Sequence, residues 1–187
     1  MYKLIQWSED LNLDEFYTEA FRRGFMNNAS KKAMIDCLRN EQEWAGWVLY
    51  EGDNKAIGYV AAHSFDNIMG PNSYRICVRT CILPHDRKYK AVISAKKAIA
   101  EHQNLTSQYF IPQCIQWAGE DKNLYITSNE NSSGSQRMVH TIFFPTLAKT
   151  GVMNRVTDVH YRGTDQTVWQ LNIKQFLEEL KKSPKWD

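Results

Sequence analysis

Five side chains stand out as candidates for acid–base chemistry, and they are His63, Asp66, His85, Asp86 and His140. Imidazole and carboxylate groups exchange protons near neutral pH, so these residues offer general acid or general base catalysis. A structural interpretation stands beside each one. An aspartate at a strand-to-helix junction, as at Asp86, is first of all a helix cap. A lone histidine on a helix is more often structural or exposed, and His63 with Asp66 also suits an ordinary loop.

The cysteines and the common catalytic motifs exclude several other chemistries. The four cysteines are Cys37, Cys77, Cys81 and Cys114, which form no CxxC pair and have no histidine at zinc-like spacing. Cys77 and Cys81 fall on one face of a predicted strand at roughly 13 Å, which is too far for a disulfide. We therefore expect reduced, buried thiols and no metal. The sequence also contains no GxSxG, HExxH, Walker-type loop or GxGxxG.

Charge is balanced along the chain. The sequence has 23 basic and 21 acidic side chains and a formal net charge of +2, so no strong field favours nucleic acid or an anionic membrane. Tryptophans and tyrosines are abundant, but without a basic stripe they indicate core packing and not base stacking. Arg75 and Arg79 share one face of a predicted central strand, where a buried arginine needs a carboxylate, a carbonyl or a bound anion.

Composition and length indicate one folded domain over residues 1–187. Apolar residues make up 43% of the 187 and charged residues 24%, which is typical of a globular protein with a real core. No run of about 18 apolar residues is present, and acidic residues come early in the chain. Neither export nor membrane spanning is indicated, and we expect a soluble cytoplasmic protein.

Hydrophobic periodicity and turn residues predict alternating helices and strands. Helices are predicted over about 12–24, 30–43, 88–103 and 135–151, with a last one formed by IKQFLEELKK. Strands are predicted over 45–50, 56–63, 74–83 and 123–129, with a closing hairpin over about 155–173 whose turn is GTDQ. Pro145 should end or kink its helix, and Gly151 suits a C-terminal cap. The stretch 108–120 carries Pro112 and is predicted to be a broken helix or a loop.

This order of elements resembles that of the GCN5-related N-acetyltransferase (GNAT) family over nearly the whole chain. Three stretches support the resemblance: CILPHDRKYKAV at 81–92, ITSNENSSGSQRMV beginning at 126, and the final hairpin. The resemblance implies an α/β (α+β) fold with a mixed, mainly antiparallel central sheet flanked by helices. It also implies acetyl-CoA as co-substrate, with its pantetheine arm between two splayed strands and its pyrophosphate at a helix start.

The cofactor loop departs from the family pattern. The usual loop is Arg or Gln, two residues, Gly, one residue, then Gly or Ala, because small residues let phosphate oxygens approach the backbone. Aligned on Pro84 and Arg87, this chain has the sequence Arg87, Lys88, Tyr89, Lys90, Ala91 and Val92. Lys90 could supply charge to a phosphate, whereas the β-branched Val92 places bulk near the helix start.

The resemblance assigns further roles at the site. Backbone N–H groups of Ile82 or Leu83 would orient the thioester carbonyl, and Asn129 would hold the pantetheine arm. His63 or Asp66 lies where the fold admits the acceptor and could deprotonate its ammonium group. Many family members place a tyrosine in the helix after the asparagine as general acid. That helix has none here, and His140 is the titratable substitute.

Two functions follow from this pattern. The first is an acyl-CoA-dependent N-acyltransferase that transfers acetyl to an amine. The second is a GNAT-like binding or assembly module that has lost acetyl-CoA binding, and it is favoured by Lys90, Val92 and the missing tyrosine. The sequence leaves open whether the acceptor is a small molecule or a protein, and whether two copies form a homodimer.

Overall fold

The structure is a computed structural model, and it describes residues 1–22, 43–53, 55–80, 104–129 and 144–182. The predicted helices over 30–43 and 88–103 fall almost entirely outside these ranges, as does the first part of the helix over 135–151. The described strands are β1 (Tyr2–Gln6), β2 (Trp44–Glu51), β3 (Lys55–Ser64), β4 (Ser73–Thr80), β5 (Asn123–Ser128), β6 (Met153–Tyr161) and β7 (Thr164–Leu171). The described α-helices are α1 (Asp14–Arg22), α2 (Asp66–Met69), α3 (Ile111–Ala118), α4 (Phe144–Lys149) and α5 (Ile173–Lys182).

Contacts divide the chain into two compact units. The first comprises residues 1–63 and 78–113, and the second comprises residues 64–77 and 114–186. The chain therefore passes from one unit to the other three times, at 63–64, 77–78 and 113–114. The prediction of a single domain stays a prediction.

The first unit contains an antiparallel sheet of β1, β2 and β3 with α1 packed on it. β2 pairs with β1 on one side and β3 on the other, and a bulge interrupts the β2–β3 register between Leu49 and Tyr50. Asn12 lies two residues before α1, and its Oδ1 accepts a hydrogen bond from the N–H of the first helical residue, Asp14, at 3.2 Å. The core between α1 and the sheet contains Leu13, Phe16, Tyr17, Val48, Tyr50, Ala56, Tyr59 and Ala61.

The second unit contains strands β5, β7 and β6 beside the beginning of β4. β4 and β5 pair in parallel, whereas β5–β7 and β6–β7 pair antiparallel. The buried cluster on one face contains Phe65, Tyr125 and Val168, with Met69, Val159 and Tyr161 packed against it. The mixed, mainly antiparallel sheet with flanking helices is confirmed.

The closing hairpin has a tighter turn than predicted. β6 ends at Tyr161 and β7 begins at Thr164, so only Arg162 and Gly163 connect them. Both have positive φ, 53° and 76°, which is typical of the two-residue turns that match strand twist. The prediction that GTDQ forms the turn was wrong, because Thr164 to Gln166 belong to β7 and pair with β6.

Residues 104–118 are helical throughout, with a π-helical turn at Thr106–Phe110 that leads directly into α3. Pro112 lacks an N–H and its ring crowds the carbonyl four residues earlier, so the wider turn in front of it relieves an α-helical clash. The helix is therefore distorted but not broken. Pro145 lies within α4 and does not end it, since the helix continues to Lys149; the residues before Phe144 lie outside the described ranges. Gly151 follows α4 with a φ of 75°, as expected of a cap.

Candidate functional site

Strand β5 changes its pairing along its length. Its first four residues, Asn123–Ile126, pair in parallel with Ser73–Ile76 of β4. Its last four, Tyr125–Ser128, pair antiparallel with β7. Since β4 continues to Thr80 while its register with β5 ends at Ile76, the end of β5 lies beyond the parallel ladder. The parallel ladder of β4 and β5 is therefore shorter than either strand.

Thr127, near the end of β5, is held by a buried arginine. Arg75 is 7% exposed, and its Nε donates a hydrogen bond to Thr127 Oγ1 at 2.9 Å. The Arg75 guanidinium also lies 5.0 Å from the centre of the Tyr161 ring, within the range of a cation–π interaction. The expected partner was a carboxylate, a carbonyl or a bound anion, whereas the partners in the described residues include a hydroxyl and an aromatic ring.

Ser128, the last residue of β5, is bonded to a tryptophan. Trp169 Nε1 donates a hydrogen bond to Ser128 Oγ at 2.9 Å, and Trp169 is stacked against Phe144 of α4 with ring centres 5.6 Å apart. Neighbouring strand residues point to opposite faces, so Thr127 and Ser128 anchor the strand end from both sides. Asn129 follows directly and is half-buried. Its predicted role in holding the pantetheine arm stays a prediction.

These contacts were not identified from the sequence. The sequence run ITSN predicts a strand followed by a site asparagine, and it does not point to Thr127 or Ser128. The available signal was alternation, which places Thr127 on the same face as Tyr125 and Ser128 on the opposite one. Their partners Arg75 and Trp169 are 52 and 41 residues away in sequence, so no local pattern could identify them.

His63 and Asp66 lie in different surroundings. His63 is near the end of β3, opposite Trp44 in the register, and is completely buried at 0% exposed. Asp66 is the first residue of α2 and is exposed, and its Oδ1 accepts a hydrogen bond from the Ser73 N–H at 2.9 Å. The Asp66 carboxylate thus closes the loop between α2 and β4. A catalytic role for either residue stays a prediction.

The other predicted site residues lie outside the described ranges. They are Ile82, Leu83, Arg87, Lys88, Lys90, Ala91, Val92 and His140. His85 and Asp86 lie outside as well, so the helix-cap interpretation of Asp86 also stays a prediction.

Cys114 is an unreactive buried thiol. It is fully buried in α3 and forms no disulfide bond, and the half-buried Cys77 forms none either. Burial raises the pKa of the Cys114 thiol far above its usual range, and the neighbouring Cys77 raises it further. A thiol that stays protonated is a poor nucleophile, so Cys114 has a packing role.

Among the described residues, no group of three or more His, Cys, Asp or Glu side chains is placed to hold a metal ion. Within the same ranges no helix is both long and apolar enough to cross a membrane.

By sequence, no protein-family model and no curated protein matches the chain. By structure, the chain is similar to solved acetyltransferases over almost its whole length. One is the aminoglycoside acetyltransferase AAC(6')-Ib in complex with coenzyme A and kanamycin, at a TM-score of 0.59 and 10% identity, covering 97% of this chain and 99% of that one.

Two further similar structures are acetyltransferases from bacteria, Vibrio cholerae and Staphylococcus aureus. The spermidine N-acetyltransferase from Vibrio cholerae, in complex with CoA and spermine, has a TM-score of 0.53 and 10% identity and covers 94% of this chain and 98% of that one. A GNAT-family acetyltransferase from Staphylococcus aureus Mu50 has a TM-score of 0.51 and 11% identity and covers 92% and 99%. The chain therefore has a GNAT-like fold, as the order of its elements predicted.

Proposed function

We propose that the protein is an acyl-CoA-dependent N-acyltransferase that transfers an acetyl group from acetyl-CoA to an amine. The observation that carries the proposal is the end of β5, which extends past its parallel register with β4 and is anchored through Thr127 and Ser128. A strand end held in this way offers backbone groups at a fixed position, which an extended ligand with amide groups can use. Pantetheine is such a ligand.

Acetyl-CoA, when bound, supplies an activated acetyl group whose carbonyl carbon is attacked by the amine as the coenzyme A thiolate leaves. The chain contributes orientation and proton transfer. Backbone N–H groups of Ile82 or Leu83 would polarise the carbonyl oxygen, and Asn129 would fix the pantetheine arm. His63 or Asp66 would remove a proton from the acceptor's ammonium group so that the neutral amine can attack, and His140 would donate a proton to the departing thiolate.

The pyrophosphate would bind at the loop of Arg87, Lys88, Lys90, Ala91 and Val92. Three cationic side chains within four positions offer the negative phosphates a charge partner. In this loop lysine charge would replace part of the backbone contact that small residues otherwise permit. The similar structures support the choice of ligands, since two of them contain coenzyme A together with an amine, kanamycin in one and spermine in the other.

Ligand-dependent stability tests this proposal. Acetyl-CoA and desulfo-CoA are titrated while thermal unfolding is followed, and ligand at a hundred times its dissociation constant should stabilise the protein by about 2.7 kcal/mol. An unchanged melting temperature at millimolar ligand would overturn the proposed enzymatic function and favour the binding or assembly module instead. The Val92→Gly variant should preserve or improve binding, and a large loss would show that the loop is aligned wrongly.

A matched pair of asparagines tests the β5 end directly. Asn129→Ala should weaken acetyl-CoA binding about three- to tenfold, the value of one hydrogen bond. Asn123→Ala is the control, because Asn123 begins the same strand within the β4 register and bonds Gln170 at 3.2 Å. Equal effects of the two variants would exclude a specific role for the β5 end.

A further inference from the structure

The turn end of the β6–β7 hairpin packs back onto the sheet of the second unit. Tyr161 ends β6 directly before the two-residue turn, and a bulge at Val156 bends the same strand. The Tyr161 ring meets the Phe65 ring edge-on at 5.3 Å, and the Phe65 ring lies 6.3 Å from that of Tyr125 in β5. The end of the hairpin is therefore fixed over the face of the sheet that carries Tyr125.

Two arginines share the Tyr161 ring. The guanidinium of Arg75 lies 5.0 Å from the ring centre, and that of Arg162 lies 5.1 Å from it. Arg162 belongs to the turn and is exposed, whereas Arg75 comes from β4 and is 7% exposed. A cation–π interaction is stronger where water is excluded, so the contact with Arg75 is the stronger of the two. Because β5 and β7 lie between β4 and β6, the Arg75 side chain and the ring together bridge two strands.

The same guanidinium holds the end of β5. The Arg75 Nε–H donates a hydrogen bond to Thr127 Oγ1 at 2.9 Å. The guanidinium is planar and rigid, so a ring that fixes its plane also fixes the direction of the Nε–H. Thr127 is β-branched and stiff at χ1, so its hydroxyl stays on this donor only while the backbone just before Ser128 and Asn129 keeps its position.

We propose that Tyr161 is a positioning residue for the end of β5. Its ring keeps the Arg75 guanidinium in the plane that bonds Thr127, and the bonded Thr127 keeps Asn129 where it would hold the pantetheine arm. The consequence for acetyl-CoA rests on the proposed N-acyltransferase function. The effect of Tyr161 on the hydrogen bond between Arg75 and Thr127 does not, and it is measured without ligand.

Solvent exchange of the Arg75 Nε–H, followed by NMR of protein labelled with nitrogen-15, tests this effect. Arg75→Lys assigns the signal, and Thr127→Val shows how fast the proton exchanges once its acceptor is lost. Tyr161→Leu should speed the exchange about tenfold, whereas Tyr161→Phe keeps the ring and should behave as the wild type does. Arg162→Ala is the matched control, because it removes the exposed cation from the same ring and should leave the Arg75 signal unchanged.

Affinity for acetyl-CoA tests the consequence for the site. Tyr161→Leu and Thr127→Val should each weaken binding about three- to tenfold, and Tyr161→Phe should bind as the wild type does. The double variant of Tyr161→Leu and Thr127→Val should bind no more weakly than Thr127→Val alone, since both changes act through one hydrogen bond.

Unchanged Arg75 exchange or unchanged affinity in Tyr161→Leu, faster exchange in Tyr161→Phe, or additive losses of affinity in the double variant would each overturn the proposal. So would the absence of nuclear Overhauser contacts between the Arg75 side chain and the Tyr161 ring in the wild type, a measurement that does not depend on any variant folding. A protein with the expected Arg75 exchange but no affinity for acetyl-CoA would retain the effect of Tyr161 and lose the N-acyltransferase function, so the two failures are distinguishable.

Discussion

Replacing Tyr17 by phenylalanine should make the protein more stable. Most buried tyrosines lose a well-formed hydrogen bond in this exchange, but the Tyr17 hydroxyl has no partner at good hydrogen-bonding geometry and interacts only with the nearby Trp7 side chain. A buried polar group without a partner costs about 1–3 kcal/mol, and the substitution removes that cost while retaining the ring. The ring itself is well packed, with Phe16 5.8 Å away in an edge-on contact. We expect the free energy of unfolding to rise by about 1 kcal/mol, or the melting temperature by about 2–4 °C.

Urea unfolding at pH 7.5, followed by circular dichroism, measures this change, and Tyr50→Phe is the matched control. Tyr50 belongs to the same cluster and is 7% exposed, but its hydroxyl is not one of the unpartnered buried atoms. Removing it should give no gain. A loss of stability in Tyr17→Phe would refute the reasoning, because it would show that the Tyr17 hydroxyl is well bonded in solution. An equal gain in both variants would refute it as well, because the gain would then not come from the missing partner.

The stabilities of the wild type and of Tyr17→Phe should also differ in their dependence on pH. Burial raises the pKa of Tyr17 above its reference of about 10, so the folded form keeps its proton when the unfolded chain begins to lose it. Stability from this group is therefore complete below pH 10 and declines as the pH rises beyond it. The phenylalanine variant lacks this contribution, and its advantage over the wild type should widen above pH 10.

Two further substitutions test the packing. Burial raises the pKa of Cys114 in the folded protein above its reference value of 9.0, so at pH 10 only the unfolded chain loses this proton. The free energy of unfolding of the wild type should therefore fall by about 1.4 kcal/mol between pH 8 and pH 10 because of this thiol. Urea unfolding at the two pH values should show a smaller fall for Cys114→Ala. Equal declines would show that the thiol ionises in the folded state. Gly46→Ala would place a Cβ 2.6 Å from the Tyr59 hydroxyl and should cost about 1–3 kcal/mol, and adding Tyr59→Phe should recover part of that loss. Thermal melts that leave Gly46→Ala unchanged would mean that Tyr59 moves freely.

Local sequence signals predicted the first hairpin closely. The predicted strands over 45–50 and 56–63 are observed as β2 (Trp44–Glu51) and β3 (Lys55–Ser64), because β-prone residues flank a turn in which Gly52 has a φ of 63°. β1 was missed. Its five residues have no turn signal, and they form a strand only through pairing with β2 more than 40 residues later.

The candidate site was predictable only in outline. Asn129 could be located because it follows a strand in a recognisable order of elements. The link between Arg75 and Thr127 depends on the parallel register of β4 and β5, and the link between Trp169 and Ser128 depends on the antiparallel pairing of β5 and β7. Both are consequences of contacts distant in sequence, which periodicity does not contain.

The π-helical turn before Pro112 changes the spacing of the buried residues along its helix. The buried pairs along this helix are Leu105 with Thr106, Phe110 with Ile111, and Cys114 with Ile115, so the interval is five residues and then four. A regular α-helix would repeat at four or fewer, and the turn thus contains one residue more than the buried face requires. Any comparison with a homologue whose helix is straight must open a gap of one residue between Thr106 and Phe110. Without that gap, the residues before the turn would be matched one position out of phase.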